Sequence, residues 1–209
     1  MSAQAGEPLG DSASPSAPGV PVTLPAAWWV LIAGVIGLAA SATLTVEKVK
    51  LLENPSYVPS CSINPILSCG SVMATPQASV LGFPNPLIGI AAFTVVVVTG
   101  VLAVTKVQMP QWYWIGLTVG TLAGVAFVHW LIVQSLYRIG ALCPYCMLVW
   151  AVTIPLLVVV ASTAFRPAIE NGAVARGLYH WRWSITALWF TAVILLILVR
   201  FWDYWSTLL

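Results

Sequence analysis

Four cysteines are the residues of this chain whose types and spacing most clearly suit chemistry. Cys61 and Cys69 lie in the segment CSINPILSC, and Cys143 and Cys146 lie three positions apart in CPYC. Such close pairs suit thiol–disulfide exchange, in which a thiolate attacks a disulfide and forms a mixed disulfide. Four cysteines allow three disulfide pairings, and spacing alone leaves the choice among them open.

The CPYC segment has the features of a helix start. Pro144 suits the first helical position, because its missing N–H would have no partner there. Cys143 is then predicted near the N-cap, and Cys146 is predicted in the first turn. Unpaired N–H groups and the helix dipole at that end stabilise a thiolate and lower its pKa.

The other pair lies in a segment that contains Asn64-Pro65, a dipeptide typical of turns. A turn there would let Cys61 and Cys69 approach each other. A mobile loop could then carry a disulfide toward the helix start and away again. The leading interpretation is therefore an electron relay between the two pairs.

Two other interpretations explain the same four residues. The cysteines could form structural disulfides in a non-enzymatic membrane scaffold or carrier. A four-cysteine zinc site is the weaker alternative, because Cys61 and Cys69 are further apart than the usual zinc-binding pair. We expect no metal ion.

The composition shows what must position these residues. Of the 209 residues, 60% are hydrophobic and only 7% are charged, whereas an average soluble domain has about 25% charged residues. Five apolar stretches have roughly the ~20 residues that a helix needs to cross a bilayer, and in lipid they must be helical. We predict an all-α integral membrane protein, a four-helix transmembrane bundle plus a fifth transmembrane helix. The stretches are 26–46, 86–105, 112–137, 144–165 and 183–204.

These stretches divide the chain into four parts. Residues 1–25 are rich in proline and serine and are predicted to be a disordered tail. Residues 26–165 are predicted to form the four-helix core that holds the cysteines, which includes an extracytoplasmic loop at 47–85. Residues 166–182 are predicted to be a cytoplasmic loop. Residues 183–209 are predicted to be the fifth transmembrane helix and a short C-terminus.

Counting the spans places all four cysteines on one side of the membrane. The loop at 47–85 and the turn at 138–143 must emerge on the same face. The eight Lys and Arg residues divide evenly between the two faces, so the positive-inside rule gives only a weak preference. Paired cysteines suit an oxidising exterior. We expect a cytoplasmic N-terminus and extracytoplasmic cysteines. Cys146 is predicted one turn deeper than Cys143, closer to the hydrocarbon, where a lipid-soluble quinone could reach it.

Two further features concern packing. Gly116, Gly120 and Gly124 recur every four residues and predict a smooth helix face, used inside the bundle or between two copies of the chain. His129 is predicted within the bilayer, where it needs a partner. A helix–helix hydrogen bond or a proton path to a quinone would provide one. Four charged residues after the first span are expected in solvent or at lipid head groups: Glu47, Lys48, Lys50 and Glu53.

Residues 61–90, CSINPILSCGSVMATPQASVLGFPNPLIGI, and residues 141–150, ALCPYCMLVW, resemble the bacterial form of the vitamin K epoxide reductase family. The form that it resembles has no fused thioredoxin-like domain. The resemblance implies an enzyme, a dithiol:quinone oxidoreductase. It would reoxidise an extracytoplasmic thioredoxin-like protein and pass the electrons to a quinone of the menaquinone or ubiquinone type.

The resemblance also assigns roles to individual residues. It makes Cys146 the cysteine that reacts with quinone and Cys143 its exchange partner. It implies that Cys69 exchanges with Cys143 and that Cys61 meets the external thiol protein.

Further positions come from the same resemblance. Asn85 matches an asparagine near the quinone head group, although it could also be an ordinary turn residue between two prolines. Thr75 falls where many members have serine. Trp150 stands where the animal enzymes have tyrosine, so the resemblance does not carry over their sensitivity to coumarin inhibitors.

The resemblance also implies the surroundings of the enzyme. The expected partner is a separate, secreted or membrane-anchored DsbA-like protein, together with membrane lipid and a quinone, and no nucleic acid. The expected location is the bacterial inner membrane. Electron flow in reverse, from quinol to a protein disulfide, is the less favourable direction because quinones are generally the stronger oxidants.

Overall fold

The structure is a computed structural model, and it describes residues 19–207. Most of the predicted tail at 1–25 lies outside the described residues. Besides a short 3₁₀ helix, Pro76–Ser79, and a π-helical turn, Ser135–Ile139, eight α-helices follow one another along the described part. In chain order they are α1 (Leu24–Glu53), α2 (Cys69–Met73), α3 (Pro86–Val104), α4 (Gln111–Gln134), α5 (Pro144–Ala164), α6 (Arg166–Asn171), α7 (Ala173–Arg200) and α8 (Trp202–Trp205).

Five helices are long and apolar enough to cross a membrane: α1, α3, α4 with its π-helical turn, α5 and α7. This confirms the predicted all-α fold with five spans. The protein is therefore a multi-pass membrane protein. Because α1 continues to Glu53, two turns beyond the predicted end, the loop that follows it is shorter than expected.

The segment predicted as a cytoplasmic loop, 166–182, is largely helical. Helix α6 begins at Arg166, and α7 begins at Ala173, ten residues before the predicted apolar span. Hydropathy marks only the part of a helix that suits hydrocarbon. Polar and aromatic residues beyond that part still pair their backbone groups most simply by staying helical.

Helices α1, α3, α4 and α5 form the bundle. Helix α1 packs against α3 and α5, and α4 packs against α5. The central side chains include Val30 of α1, Phe93 of α3, Trp114 of α4 and Val160 of α5. Helix α7 lies outside this group, and Thr186 is its only buried residue.

The close contact between α1 and α3 depends on glycines outside the predicted stripe of Gly116, Gly120 and Gly124. A methyl group at Gly100 of α3 would lie 2.5 Å from the Leu31 Cα, and one at Gly34 would lie 2.9 Å from the Val97 nitrogen. In the described chain nothing lies within 4 Å of such a group at Gly116 or Gly120. The prediction that Gly116 and Gly120 pack inside the bundle is therefore wrong. The spacing of glycines indicates a smooth helix face, but it does not show whether another helix packs against that face.

His129 makes the predicted helix–helix hydrogen bond. The Trp189 indole N–H of α7 donates to His129 Nε2 at 2.8 Å. The other ring nitrogen, Nδ1, lies 2.8 Å from the Val125 carbonyl oxygen, to which it can donate. At the C-terminal end of α7, Arg200 Nε donates to the Leu136 carbonyl at 2.9 Å. Polar contacts therefore attach α7 to α4.

Candidate active site

The loop between α1 and α3 contains the predicted turn. The Asn64 side-chain oxygen accepts hydrogen bonds from the backbone N–H groups of Ile66, at 3.0 Å, and Leu67, at 2.7 Å. The turn brings Cys61 and Cys69 together, and they form a disulfide. Of the three possible pairings, the structure therefore has Cys61–Cys69, with Cys143 and Cys146 as free thiols.

A short backbone pairing joins this loop to the segment before α5. The Leu142 N–H donates to the Ile66 carbonyl at 2.7 Å, and the Ser68 N–H donates to the Leu142 carbonyl at 2.9 Å. Residues 67 and 142 thus form a parallel bridge. We call this pairing the 66–142 clamp. It fixes the residues immediately before both Cys69 and Cys143.

The π-helical turn after α4 positions Leu142 for the 66–142 clamp. The π-helical turn is followed by Gly140, which has a φ of 71° and donates its N–H to the Ser135 carbonyl. That left-handed conformation suits glycine, which has no Cβ to clash. The chain then runs through Ala141 to Cys143, where α5 starts.

The clamp places Cys69 Sγ 3.2 Å from Cys143 Sγ. Reacting atoms that are held roughly 3–3.5 Å apart are close to an attack geometry. Both sulfurs belong to buried residues, with exposed fractions of 0% for Cys69 and 1% for Cys143. A thiol is therefore held against one sulfur of a disulfide, away from water.

Cys143 is the N-cap residue of α5, as predicted. Its Sγ accepts a hydrogen bond from the backbone N–H of Cys146 at 3.4 Å. The pKa of Cys143 is lowered, chiefly because the Cys146 thiol donates a hydrogen bond to it. Burial acts in the opposite direction, and the backbone N–H groups of Cys146 and Tyr145 add to the lowering. A lower pKa raises the fraction of Cys143 that is thiolate, and the thiolate is the form that attacks a disulfide.

Cys61 is less accessible than its expected role requires. Its exposed fraction is 5%, and it packs in a cluster with Leu44, Met73 and Cys69. The loop was expected to be mobile, but it packs against the bundle in this conformation. An external thiol reaches Cys61 only if this segment moves.

Glu47 holds the loop segment next to Cys61. Its carboxylate accepts hydrogen bonds from the Tyr57 hydroxyl at 2.9 Å and the Ser60 hydroxyl at 2.7 Å. The expectation that Glu47 is solvated or at head groups is wrong, because only 5% of it is exposed. The last turns of α1 pack beneath the loop, and Glu47 lies on that face.

Cys146 lies on an apolar cavity of about 160 Å³ inside the bundle. The cavity opens between the last turns of α1, the α2 segment and helices α3, α4 and α5. Cys143 does not line it, so the two thiols of CPYC have different surroundings. The apolar wall includes Leu44, Met73, Phe93, Phe127, Val128, Leu131, Val149 and Trp150.

Asn85 and Thr75 also line this cavity. The Asn85 amide nitrogen donates to the Gln77 carbonyl at 2.7 Å, and its amide oxygen accepts from the Val80 N–H at 3.0 Å. Asn85 therefore holds a turn and also faces the cavity with one N–H left over. The Thr75 hydroxyl donates to the Val72 carbonyl at 2.7 Å.

Sequence reasoning missed Lys48 as a residue of this cavity. Its Nζ donates to the Met73 carbonyl at 2.6 Å, and the residue is only partly exposed. A signal was present in the sequence. Ser41, Leu44 and Lys48 follow a helical period and all three line the cavity.

The geometry defines a class of protein. A disulfide in contact with a buried thiol at a helix start, next to a second thiol on an apolar cavity, is the arrangement of a membrane thiol–disulfide oxidoreductase. The model of the vitamin K epoxide reductase family matches residues 28–161, and the chain belongs to this family. It is accordingly a membrane oxidoreductase that links disulfides and quinones. A comparison with curated proteins gives no match.

The contact between Cys69 and Cys143 predicts a specific cross-link. In a Cys61→Ala, Cys146→Ala variant, we expect mild oxidation to join Cys69 to Cys143, because the two sulfurs are already 3.2 Å apart. Mass spectrometry of digested protein would detect the joined peptides. The matched control is Cys69→Ala, Cys143→Ala, which keeps one cysteine of each pair. An equal yield of cross-link in that control would contradict the assigned geometry.

The Glu47 contacts predict an effect on the loop disulfide. Glu47→Ala removes two hydrogen bonds to a charged group, each worth about 1.5–3 kcal/mol. We expect dithiothreitol to reduce Cys61–Cys69 at least about tenfold faster in this variant, since the segment at 57–60 opens more often. Alkylation and intact-mass measurement over time would follow the reduction. Glu53→Ala, at the exposed end of the same helix, should react like the unmodified protein, and equal rates for both variants would refute the idea.

Proposed function

We propose that the protein is a dithiol:quinone oxidoreductase that reoxidises a separate extracytoplasmic thioredoxin-like protein. Electrons would pass through the loop pair and then the CPYC pair to a quinone. One observation carries the proposal: Cys143 Sγ lies 3.2 Å from the loop disulfide at Cys69, while Cys146 faces an apolar cavity. This geometry can serve both a protein disulfide and a lipid-soluble acceptor.

The first exchange takes place at the loop. A thiolate of the partner attacks Cys61, the Cys61–Cys69 bond breaks, and Cys69 leaves as a thiolate. The second thiol of the partner then attacks the partner sulfur that is bonded to Cys61, which forms the partner's disulfide and releases Cys61. The partner is now oxidised, and the loop pair has gained two electrons.

The second exchange transfers these electrons to the CPYC pair. The Cys69 thiolate attacks Cys143 of a Cys143–Cys146 disulfide, and Cys146 leaves. Cys61 then attacks Cys69, restores the loop disulfide and releases Cys143. The observed state, with the loop pair oxidised and two free thiols in CPYC, corresponds to the point after this transfer.

The residues around the cavity suit a quinone head group. The wall is mostly apolar, and Cys146, Asn85 and Thr75 face the space. A bound quinone of the menaquinone or ubiquinone type would accept two electrons and two protons as Cys143 and Cys146 form a disulfide. Cys146 would face it, and the remaining Asn85 N–H would donate to a carbonyl oxygen.

Access for the partner requires a loop movement. Because Cys61 is buried, the segment from Tyr57 to Ser60 must leave Glu47 before a partner thiolate can reach the sulfur. We propose that docking of the partner makes this movement favourable. The movement leaves the 66–142 clamp in place, since that clamp lies on the other side of the turn at Asn64.

The proposed orientation places both pairs on the extracytoplasmic face of a bacterial inner membrane, with the N-terminus in the cytoplasm. In a chain whose four cysteines are replaced by alanine, Ser56→Cys places a thiol at an exposed position of the loop that leads to Cys61. A bulky, membrane-impermeant maleimide added to intact cells should modify this thiol. Protection in intact cells together with labelling after lysis would place the cysteines in the cytoplasm and reject this orientation.

The assignment of Cys146 predicts a split between the two half-reactions. Purified protein should oxidise a reduced thioredoxin-like protein when a short-chain quinone is supplied, and Cys146→Ser should lower turnover by at least about 10³-fold, because no disulfide can form in CPYC. Absorbance of the quinone follows turnover. The same variant should still form a mixed disulfide with the partner at Cys61, which serves as its control. Turnover near that of the unmodified protein would reject the role of Cys146.

A further inference from the structure

Lys48 occupies an unusual position for a lysine. It lies in the part of α1 that faces the bundle, and it lines the same cavity as Cys146. Among the lining residues of that cavity in the described chain, it is the only lysine or arginine. The wall is otherwise predominantly apolar, so a charged group here is costly unless it has a partner.

The contacts of Lys48 leave part of its ammonium group available. An ammonium group has three N–H donors, and one of them donates to the Met73 carbonyl at 2.6 Å. That bond holds Nζ against α2, at the cavity wall. The other two donors can serve water or a ligand in the cavity.

The neighbouring carboxylate does not neutralise this charge. Glu47 precedes Lys48, but successive residues of a helix point about 100° apart. The Glu47 oxygens accept hydrogen bonds from Tyr57 and Ser60 in the loop. The carboxylate is therefore committed to the loop, whereas the ammonium group faces the cavity.

We propose that the Lys48 ammonium group binds a carbonyl oxygen of the quinone and stabilises the negative charge that develops there during reduction. This inference rests on the proposed function and identifies a catalytic residue for it. The attraction between opposite charges is strong in a site that excludes water. A preorganised cation aimed at developing oxygen charge is a common source of rate acceleration.

The chemistry balances without another reactant. Cys143 and Cys146 lose two electrons and two protons when their sulfur–sulfur bond forms. The quinone gains two electrons and two protons and leaves as a quinol. Lys48 begins and ends the cycle as an ammonium group, so it stabilises charge on the oxygen without being consumed.

A purely structural role for Lys48 makes a different prediction. If its only task is to tether α2 through the Met73 carbonyl, then its removal should disturb the neighbouring Cys69, and any loss of quinone affinity should accompany that disturbance. The yield of the Cys69–Cys143 cross-link reports on this tether. Quinone affinity, measured without turnover, reports on the cavity.

The experiment measures binding of a short-chain naphthoquinone by isothermal titration calorimetry in the Cys146→Ser background, which prevents electron transfer. We expect Lys48→Met to raise the Kd about tenfold, as for loss of a hydrogen bond to a charged group. Lys48→Arg should stay within about threefold, because it keeps the positive charge. Lys50→Met changes an exposed lysine two residues further along α1; it is the matched control and should leave the Kd unchanged.

The outcomes separate the two proposals. An unchanged Kd in Lys48→Met overturns the role of Lys48 and leaves the proposed function standing. A weaker Kd accompanied by a matching loss of the Cys69–Cys143 cross-link in a Cys61→Ala, Cys146→Ala background also overturns it, in favour of the tether. If the Cys146→Ser parent binds no quinone and the unmodified protein reduces none, the proposed function fails first. A weaker Kd with an unchanged cross-link supports the assignment.

Discussion

The active site depends on two backbone hydrogen bonds that join the α1–α3 loop to the segment before α5. These bonds pair Ile66 and Ser68 with Leu142. Each of the two exchanging cysteines follows directly after a paired segment, so the pairing sets the distance between Cys69 and Cys143. Other loops of a membrane protein can move without disturbing the packing of the bundle. The part of this loop next to Cys69 must stay in place, because attack of one sulfur on another requires the two atoms to be in contact.

Around this contact, the fold gives each cysteine different surroundings. Cys69 and Cys143 are sealed from water, Cys61 lies beneath a loop segment that must open, and Cys146 faces the apolar cavity. The order of these surroundings follows the proposed path of electrons from the aqueous side toward the bilayer. A sealed middle step also keeps the exchange between the two pairs from competing with thiols in solution.

The C-terminal end of α1 contributes a residue to each end of the proposed electron path. Glu47 and Lys48 are adjacent in sequence, yet one holds the loop that covers Cys61 and the other faces the cavity beside Cys146. Helix α1 extends beyond the apolar stretch that predicted it, and this extension is what carries the two residues to the site. The fifth span contributes little to the core, since Thr186 is the only buried residue of α7. Its contacts with the bundle combine hydrogen bonds to His129 and Leu136 with apolar packing of Trp189 and Ile197.

The sequence by itself determined the five apolar helices, the helix start at Cys143 and the turn at Asn64, because these depend on local composition and on hydrogen bonds between near neighbours. The resemblance added a hypothesis for each cysteine. Only the tertiary structure decided that the Cys61–Cys69 pair meets Cys143, since the clamp joins residues more than seventy positions apart. It also decided which polar residues are inside. Glu47 and Lys48 lie in one run of charged residues after an apolar span, and their burial depends on the loop and helices that pack over them. The stripe of Gly116 and Gly120 shows the same limit, because a pattern within one helix describes a face, whereas a neighbouring helix determines whether that face is buried.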